Sequence, residues 1–511
     1  MHAALPIGIK SFREIRENNH YYVDKTAITH QLIDEGNFYL LSRPKLFGKS
    51  LLLDTLAELF EGNEPLFRGL AVHQLWDWIR RFPVIRISFA GKTLHSRQAL
   101  DASIDHLLHV NTEKLGLPSG NARDIPGRFA ELIRNAERSH GQRVVVLIDE
   151  YDKPVRDNLE SPQLCRDMAN GLLNLYSVIK DSGAHIRFAM LAGVSKFSTG
   201  NLFSGLNNLH DITLDARYSA ICGFTEDEVD AVFAPALDGL DRDEIRSWYS
   251  GYNWRGATVY NPFDLLMALR ERRLGKYWFE ASASPFILER LLTQQVFAPR
   301  LSDLCVMESQ ISHFDIEHIP VEALLFQAGY LTITHVRRLP GQLYMTLSYP
   351  NLAIRSGLNG ALLERMKGSP ALAVQQTSQL QQLLRANDLN GLRELLEDFC
   401  ASIPHDGQHD PATHYIRIFY RHFAALELDV RLEDGSSQAR IDLAVLLQHK
   451  TYLISFKVME QVPEVNALQW IKDCRYPEKY RRDGSAIYLI GVEFSRETQS
   501  MVRFDVEMDT H

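Results

Sequence analysis

Short apolar runs alternate with amphipathic stretches along the first third of the chain. Strand-like runs that are mainly apolar lie at residues 37–42, 83–89, 143–148 and 186–191. Stretches with apolar side chains at helical spacing lie between them, at residues 49–60, 124–139 and 165–181. Apolar strands separated by helices are typical of a parallel sheet that is covered on both faces. The pattern therefore predicts an α/β fold for this part of the chain.

The pattern becomes mainly helical after residue 215. Thr225 followed by Glu228 is a capping-box signal, and residues 225–275 are mostly helical in pattern. A helix followed by two strands at residues 321–349 predicts a winged-helix-like piece. Leucines at helical spacing then predict a helical connector at residues 370–400.

The last hundred residues return to an α/β pattern. A loop rich in Pro, Gly and Asp at residues 402–413 is a plausible domain boundary. Beyond it, the pattern predicts three strands and a helix, at residues 440–447, 451–458, 485–492 and 465–480 respectively. The sequence therefore predicts a compact C-terminal α/β domain.

Composition narrows the class of protein. The 511 residues are 45% hydrophobic and 23% charged, which fits a folded chain of several domains. With 55 Lys and Arg against 64 Asp and Glu, the net charge is −9, so any nucleic-acid contact must use a local patch. The five cysteines form no C-x-x-C pair, the 19 histidines form no metal motif, and no apolar run is long enough to span a bilayer. No secretory signal is visible, so we expect a cytoplasmic protein.

A partial phosphate-binding loop lies between the first strand and the first long helix. Residues 43–50 read Arg-Pro-Lys-Leu-Phe-Gly-Lys-Ser. Gly48 lets the backbone approach phosphates, Lys49 adds a positive charge, and the Ser50 hydroxyl is a ligand for Mg²⁺. Arg43 stands where the common motif has its first glycine, so the match is incomplete. The predicted nucleotide contacts are these four residues together with Phe47 and Leu51.

Two acids end the apolar strand at residues 143–148. In an open parallel sheet, this carboxyl edge is where nucleotides bind. We expect Asp149 to bind Mg²⁺ and Glu150 to orient the attacking water. At the end of the next strand, Ser195 is a candidate sensor of the terminal phosphate, with Lys196 nearby. Further polar contacts that nothing in the sequence ranks are Asn207, Asn208 and Arg217.

These residues resemble the bacterial and archaeal AAA-ATPase-like proteins that carry a C-terminal PD-(D/E)XK nuclease-superfamily domain. The resemblance covers nearly the whole chain. Besides the phosphate loop, it rests on short motifs at residues 5–9, 22–26, 147–154, 203–208, 248–252, 260–263 and 327–332. Arg43 before the loop is normal for this family.

The resemblance implies a fold class and a domain plan. The fold class is α/β, with a P-loop NTPase core of the additional-strand, AAA/STAND-like type and a restriction-endonuclease-like C-terminal domain. The expected parts are the ATPase core, a helical lid, the winged-helix-like region, the connector and the nuclease-like domain, at residues 1–217, 218–285, 286–365, 366–405 and 406–511. Aromatic residues cluster in the lid at Trp248, Tyr249, Tyr252, Trp254 and Tyr260, and we expect them to pack the lid, with stacking on bases as the alternative.

The nuclease-like domain departs from its family pattern at the metal site. Nucleases of this superfamily place an Asp on one strand and an acid-x-Lys on the next, so that side chains two apart converge. Here the residues are Asp442, Ser455 and Lys457, and a neutral hydroxyl cannot replace a carboxylate on Mg²⁺. On the following helix the family's Gln position is Trp470, and Gln469 is displaced by one residue, about 100° around the helix. We therefore expect a degenerate nuclease site.

Three hypotheses about function follow. The first is an Mg²⁺-dependent ATP-binding protein with slow, regulated hydrolysis, in which Lys49 and Glu150 are the catalytic residues. The second is a scaffold that binds ATP without turnover, whose C-terminal domain binds protein or nucleic acid. The third is an active Mg²⁺-dependent DNase that uses a migrated acid, such as Glu460 or Glu464. A protein partner or a homo-oligomer is compatible with each of them, and a membrane partner is not expected.

Overall fold

The computed structural model describes most of the chain. The described residues are 3–91, 93–197, 208–294, 296, 301, 303–312, 319–367, 369–401, 411–434, 440–447, 449–459, 466–481, 485–495, 497–498 and 500–509. They form two compact units, Met1–Ser282 with Cys305–Thr346, and Ala283–Leu304 with Leu347–His511. Within the described ranges, no helix is both long and apolar enough to cross a bilayer.

The elements up to residue 282 build the larger part of the first unit. They are α1 (Phe12–Glu17), α2 (Thr26–Glu35), β1 (Phe38–Ser42), α3 (Lys49–Phe60), β2 (Val84–Ser88), α4 (Arg97–Lys114), α5 (Ile125–His140), β3 (Val144–Asp149), α6 (Lys153–Arg156), α7 (Pro162–Asp181), β4 (Ile186–Gly193), β5 (His210–Asp211), α8 (Glu226–Leu237), α9 (Arg242–Tyr249), α10 (Pro262–Glu271) and α11 (Tyr277–Ser282).

The remaining described elements follow in chain order. They are α12 (Pro285–Thr293), β6 (Leu304–Met307), α13 (Glu308–Ser312), α14 (Val321–Ala328), β7 (Thr332–Leu339), β8 (Gln342–Ser348), α15 (Leu352–Lys367), α16 (Pro370–Ala386), α17 (Leu389–Ala401), α18 (Pro411–Ala424), β9 (Asp429–Asp434), β10 (Arg440–Leu447), β11 (Lys450–Met459), α19 (Ala467–Asp473), α20 (Tyr476–Tyr480), β12 (Ala486–Ser495) and β13 (Ser500–Asp509).

The first unit is built on a parallel sheet in the order β2-β3-β4-β1-β5. Strand β4 lies between β1, which precedes the phosphate loop, and β3, which ends in the two acids. This is the arrangement expected of an additional-strand core. Strands β1, β3 and β4 are buried along nearly their whole length, as their apolar sequences predict.

Two helices in this unit show how local sequence sets the boundaries. Asp124 caps the start of α5 by accepting from the backbone of Gly127, and Gly141 ends it in the left-handed region. Helix α4 was not predicted from the pattern. It buries only three apolar side chains, Leu100, Ile104 and Leu108, so its apolar stripe is narrow within a polar sequence.

The predicted helix-and-hairpin is present as α14, β7 and β8, and the β strands join β6 in a sheet of order β6-β8-β7. Whether this piece is a winged helix stays a prediction, as do the five domain boundaries. The lid region contains α8, α9 and α10, and α8 begins with the predicted capping box between Thr225 and Glu228.

The second unit contains a mixed sheet in the order β13-β12-β11-β10-β9. Strands β11 and β12 are parallel, and the other neighbouring pairs are antiparallel. The prediction of one helix over residues 465–480 was wrong, because the segment forms two helices, α19 and α20. Arg475 adopts a left-handed conformation between them, and Pro477 cannot continue a helix, since it lacks an N–H and its ring clashes with the carbonyl of Asp473. Strands β9 and β13 were not predicted.

Candidate functional site

The phosphate loop joins the end of β1 to the start of α3. Leu46 and Gly48 both lie in the left-handed region, with φ of 62° and 91°. A Cβ on Gly48 would meet no atom within 4 Å, so backbone conformation and not space explains the glycine. Helix α3 then begins at Lys49, which places its first N–H groups and its positive dipole end at the loop.

The Lys49 side chain is buried within the loop. Its Nζ donates to the backbone oxygens of Arg43 and Pro44, at 3.0 and 2.8 Å. Burial lowers the pKa of Lys49, although Glu150 and Asp149 favour its charged form. The ammonium group is therefore held by neutral carbonyls, which a phosphate can replace with a stronger, charge-assisted interaction.

Ser50 and Asp149 are in direct contact. The Ser50 hydroxyl donates to Asp149 Oδ2 at 2.7 Å, across 99 residues of sequence. Burial raises the pKa of Asp149, and the hydrogen bond from Ser50 opposes that shift. Hydroxyl and carboxylate oxygens are the kinds of ligand that Mg²⁺ accepts in proteins. The residues present therefore fit a magnesium ion at this point, at the N-terminus of α3.

Glu150 adopts an uncommon backbone conformation just after β3. Its φ is 54°, in the left-handed region that non-glycine residues rarely enter. Its Oε2 accepts from Arg156 at 2.7 Å. Burial opposes ionisation, but the charges of Arg156 and Lys49 outweigh it and lower the pKa of Glu150. The carboxylate is therefore held charged beside the loop.

The Arg43 side chain is engaged in the fold of the unit. The guanidinium is almost fully buried and donates to the backbone oxygens of Ser42, Thr213 and Tyr218. It also lies over the Trp254 ring, 4.1 Å from the centroid, and burial lowers the pKa of Arg43 to about 10. That Arg43 contacts nucleotide stays a prediction.

Phe47 anchors the loop to the lid aromatics. Its ring is fully buried and meets Tyr252 and Trp254 edge-on, with centroids 4.7 and 5.5 Å apart. All five lid aromatics named above are buried, which is the state expected of packing residues. Phe47 and Leu51 both line the cavity described below.

Ser195 lies at the end of β4 and is nearly fully buried. The backbone N–H groups of Val194 and Ser195 donate to the two oxygens of Asp152, at 3.0 and 2.8 Å. Lys196 pairs with Asp211, and its backbone N–H donates to Gln327 Oε1 at 2.8 Å. A sensor role for Ser195 stays a prediction.

The other polar candidates that the structure describes are exposed. Arg217 is exposed and pairs with Asp215 and Glu35, and Asn208 is exposed. Asn207 lies outside the described residues.

A cavity of about 320 Å³ extends from the phosphate loop. Lys45, Lys49, Ser50 and Glu150 lie on its wall. The rest of the wall is mainly apolar. It comes from segments that include no predicted site residue, at residues 6–10, 21–25, 221–224, 262–266 and 281–282. A charged end and an apolar end suit a nucleotide, whose phosphates are anionic and whose base is flat and weakly polar. The motifs at residues 5–9 and 22–26, on which the family resemblance rests, were the sequence signal by which this wall could have been identified.

Asp442 in the second unit is enclosed by hydrogen-bond donors. Its Oδ1 accepts from Ser455, and its Oδ2 accepts from Trp470 Nε1 at 2.9 Å and from the Tyr476 hydroxyl at 3.1 Å. The Arg440 guanidinium stacks on the Trp470 ring at 3.7 Å. Asp442 is 1% exposed, and burial raises its pKa against the hydrogen bonds that favour its charged form.

The strand register places the nuclease-site residues on one face of the sheet. Asp442 is opposite Ser455 on the neighbouring strand, and Lys457 lies two residues further on. Glu493 on β12 is opposite Lys457 and was not identified from the sequence. Its Oε1 accepts from the backbone N–H of Ala467, so it caps α19. Glu493 is a charged residue within the apolar run 486–495, and this was the signal by which the sequence could have identified it.

The displaced glutamine behaves as its helical position predicts. Gln469 is exposed and donates to Asp473, whereas Trp470 is the residue that reaches Asp442. Among the described residues, no group of three His, Cys, Asp or Glu side chains is arranged to hold a metal. The proposed replacements Glu460 and Glu464 lie outside the described residues.

Comparison with known proteins gives matches at both ends of the chain. Residues 6–203 match the family model described as a predicted AAA-ATPase, and residues 412–504 match the PD-(D/E)XK nuclease superfamily. A protein of Azotobacter chroococcum mcd 1, described as an uncharacterized protein in the vnfD 5′ region, is 55% identical over 509 residues and covers 98% of each chain.

A solved structure was also found, that of the Aeropyrum pernix ORC1 protein in complex with DNA. It is 12% identical, covers 70% of this chain and 98% of its own, and has a TM-score of 0.25. A TM-score this low carries no argument about fold or partner. Because both family models match and the relative covers 98% of the chain, the chain belongs to the family of AAA-ATPase-like proteins that carry a C-terminal PD-(D/E)XK nuclease-superfamily domain.

Proposed function

We propose that the protein is an Mg²⁺-dependent ATPase with slow, regulated turnover. The observation that carries this proposal is the contact between Ser50 and Asp149, beside the buried Lys49 and at the charged end of a cavity of about 320 Å³. Two elements that are 99 residues apart in sequence meet there in the arrangement that phosphate transfer needs.

Each residue has a distinct part in the proposed reaction. Lys49 exchanges its two carbonyl partners for phosphate oxygens, and the N–H groups at the start of α3 bind the same oxygens. Ser50 and Asp149 hold the magnesium ion, which would neutralise charge on the phosphates when bound. Glu150, charged and adjacent to the loop, accepts a hydrogen bond from the attacking water and orients it.

Slow turnover follows from how firmly the loop is held. Trp278 Nε1 donates to the backbone oxygen of Lys45 at 2.7 Å, and Phe47 packs against the lid aromatics. Gly329 approaches Pro44 so closely that a Cβ there would lie 2.7 Å from the proline ring. When phosphate draws Lys49 away from the loop carbonyls, these contacts must adjust. We therefore expect conformational steps to limit the rate of ATP hydrolysis. We expect the same steps to make the conformation of the lid depend on which nucleotide is bound at the loop.

The proposal is tested by ATP hydrolysis of the wild type, Lys49→Ala and Glu150→Gln, with Glu160→Gln as an exposed control from the same region. We expect turnover in the wild type and the control, and loss of turnover in both site variants. ATP binding should be weakened by about 10- to 100-fold in Lys49→Ala and retained in Glu150→Gln. Binding without wild-type turnover would favour the scaffold hypothesis, and absence of both would refute the nucleotide site.

For the C-terminal domain, we propose a binding role without metal-dependent cleavage. The supporting observation is that both oxygens of Asp442 are already hydrogen-bonded and nearly inaccessible. Ser455 completes this cluster in place of the acid, so a neutral hydroxyl stands at the position where the superfamily provides a second carboxylate for a hard cation.

This second proposal has its own test. Plasmid and single-stranded DNA are incubated with the protein and Mg²⁺ or Mn²⁺, and we expect no cleavage. Cleavage by the wild type that is lost in Lys457→Ala would contradict the proposal. The ATPase assay repeated with DNA or RNA identifies the partner class, because a nucleic acid bound by this domain is expected to change the rate.

A further inference from the structure

Arg156 joins two carboxylates through the two arms of one guanidinium. Its NH1 donates to Asp152 Oδ2 at 2.8 Å, and its NH2 donates to Glu150 Oε2 at 2.7 Å. The Arg156 side chain is 13% exposed, so the pairs are shielded from most of the solvent. A planar fork of this kind fixes direction as well as charge, which a single ammonium group does not.

Asp152 ties this fork to the core of the sheet. The carboxylate is fully buried, and its oxygens also accept from the backbone N–H groups of Val194 and Ser195 at the end of β4. Tyr151 adds a further bond, since its hydroxyl donates to the Ser195 backbone oxygen at 2.9 Å. One end of the Arg156 fork is therefore immobile relative to the sheet.

The other end of the fork faces the nucleotide cavity through Glu150. Glu150 is one of the cavity's wall residues, and Arg156 is not among the wall residues that the described chain contributes. Arg156 therefore reaches Glu150 Oε2 without lining the described wall itself. The left-handed backbone of Glu150 is a costly conformation, and the bond to Arg156 helps to compensate for it.

We infer that Arg156 is a positioning residue for hydrolysis, which holds the Glu150 carboxylate in the orientation that aligns the attacking water. This inference rests on the proposed ATPase function. Arg156 has no contact with substrate in this role and acts only through Glu150. Asp152 links Arg156 to the end of β4. A shift of that strand end would therefore move the Glu150 carboxylate with it.

The test is a double-mutant cycle in ATP hydrolysis with wild type, Arg156→Gln, Glu150→Gln and the double variant. Arg156→Gln is expected to lower kcat by about 10- to 100-fold, since small displacements of a catalytic group have effects of this size. KM for ATP should change by less than about 3-fold, because ground-state binding is untouched. In the Glu150→Gln background, the Arg156 substitution should have no further effect, because groups that act as one unit are not additive.

Two further variants separate positioning from general damage. Lys153→Gln removes the other salt bridge of α6, between Lys153 and Asp157, and should leave kcat unchanged. Arg156→Lys keeps the charge but loses the fork, so its kcat should stay below that of the wild type by at least about 5-fold. Full recovery by lysine, or loss of ATP binding in both Arg156 variants, would overturn the positioning role.

The outcomes distinguish this inference from the function on which it rests. A wild type without turnover, or Glu150→Gln with normal turnover, refutes the proposed ATPase and the inference together. Turnover that depends on Glu150, combined with an Arg156 effect of equal size in both backgrounds, refutes the inference alone.

Discussion

Asp264 is predicted to make the first unit less stable as pH rises. It lies on α10, is fully buried, and its Oδ1 accepts from the backbone N–H of Trp278 at 2.7 Å. Among the described residues, no group donates a hydrogen bond to its Oδ2. Burial raises the pKa of Asp264 from 3.8 to about 7, because an ionised carboxylate there would lack solvent and a cationic partner.

The sign and size of the effect follow from linkage. The folded chain binds the Asp264 proton more tightly than the unfolded chain does, so its stability is full below about pH 4 and falls as pH rises towards 7. A difference of roughly 3 pKa units corresponds to about 4 kcal/mol at alkaline pH, as an upper bound. Asp264→Asn cannot ionise and keeps an oxygen for Trp278. It should therefore be more stable than the wild type at pH 8, by up to a few kcal/mol.

Urea unfolding followed by tryptophan fluorescence at pH 5, 6, 7 and 8 measures this difference. The free energy of unfolding of Asp264→Asn should exceed that of the wild type by roughly 3 kcal/mol less at pH 5 than at pH 8. Asp227→Asn, an exposed carboxylate on α8, serves as the control and should show no such trend. An advantage that is absent at pH 8, or equal at pH 5 and pH 8, would refute the reasoning. Trp278 donates to Asp264 from its backbone N–H and also donates from its ring to the Lys45 backbone oxygen in the loop. The ATP affinity of the wild type should therefore also fall as pH rises towards 8.

Three further predictions concern single side chains. Gly329→Ala should lower the free energy of unfolding by about 1–3 kcal/mol and weaken ATP binding, because it strains a residue at φ 94° and forces a Cβ against Pro44; Gly341→Ala, with positive φ but open space, should lower the free energy of unfolding by less and leave ATP affinity unchanged, as calorimetry would show. Lys49→Ala should weaken ATP binding by about 10- to 100-fold in a titration, since it removes one charge-assisted interaction; unchanged affinity would contradict the assigned loop. Trp470→Phe should cost about 1–3 kcal/mol in urea unfolding, because Asp442 loses a donor; a neutral result would mean that the cluster does not stabilise the domain.

Local sequence was sufficient to predict the elements that carry the proposed nucleotide site. Short-range rules predict the continuous apolar strands, the glycine and lysine at the start of α3, and the acids at the end of β3. The structure places these elements as the topology of a parallel sheet requires. The departure at Ser455 was also visible in sequence, because the chemistry of a metal ligand depends on residue type. Elements with a narrow apolar stripe or at a sheet edge, such as α4 and β13, were missed since their periodic signal is weak.

Which groups meet across the chain was decided only by the tertiary structure. Sequence placed Glu150 at a strand end, but the pairing of its carboxylate with Arg156 depends on how the turn after β3 folds. The same holds for the enclosure of Asp442 by Trp470 and for the burial that raises the pKa of Asp264. Residue types and their spacing determine which chemistry is available to this protein. Burial and long-range contacts determine which charges are paired, and no local pattern encodes either of them.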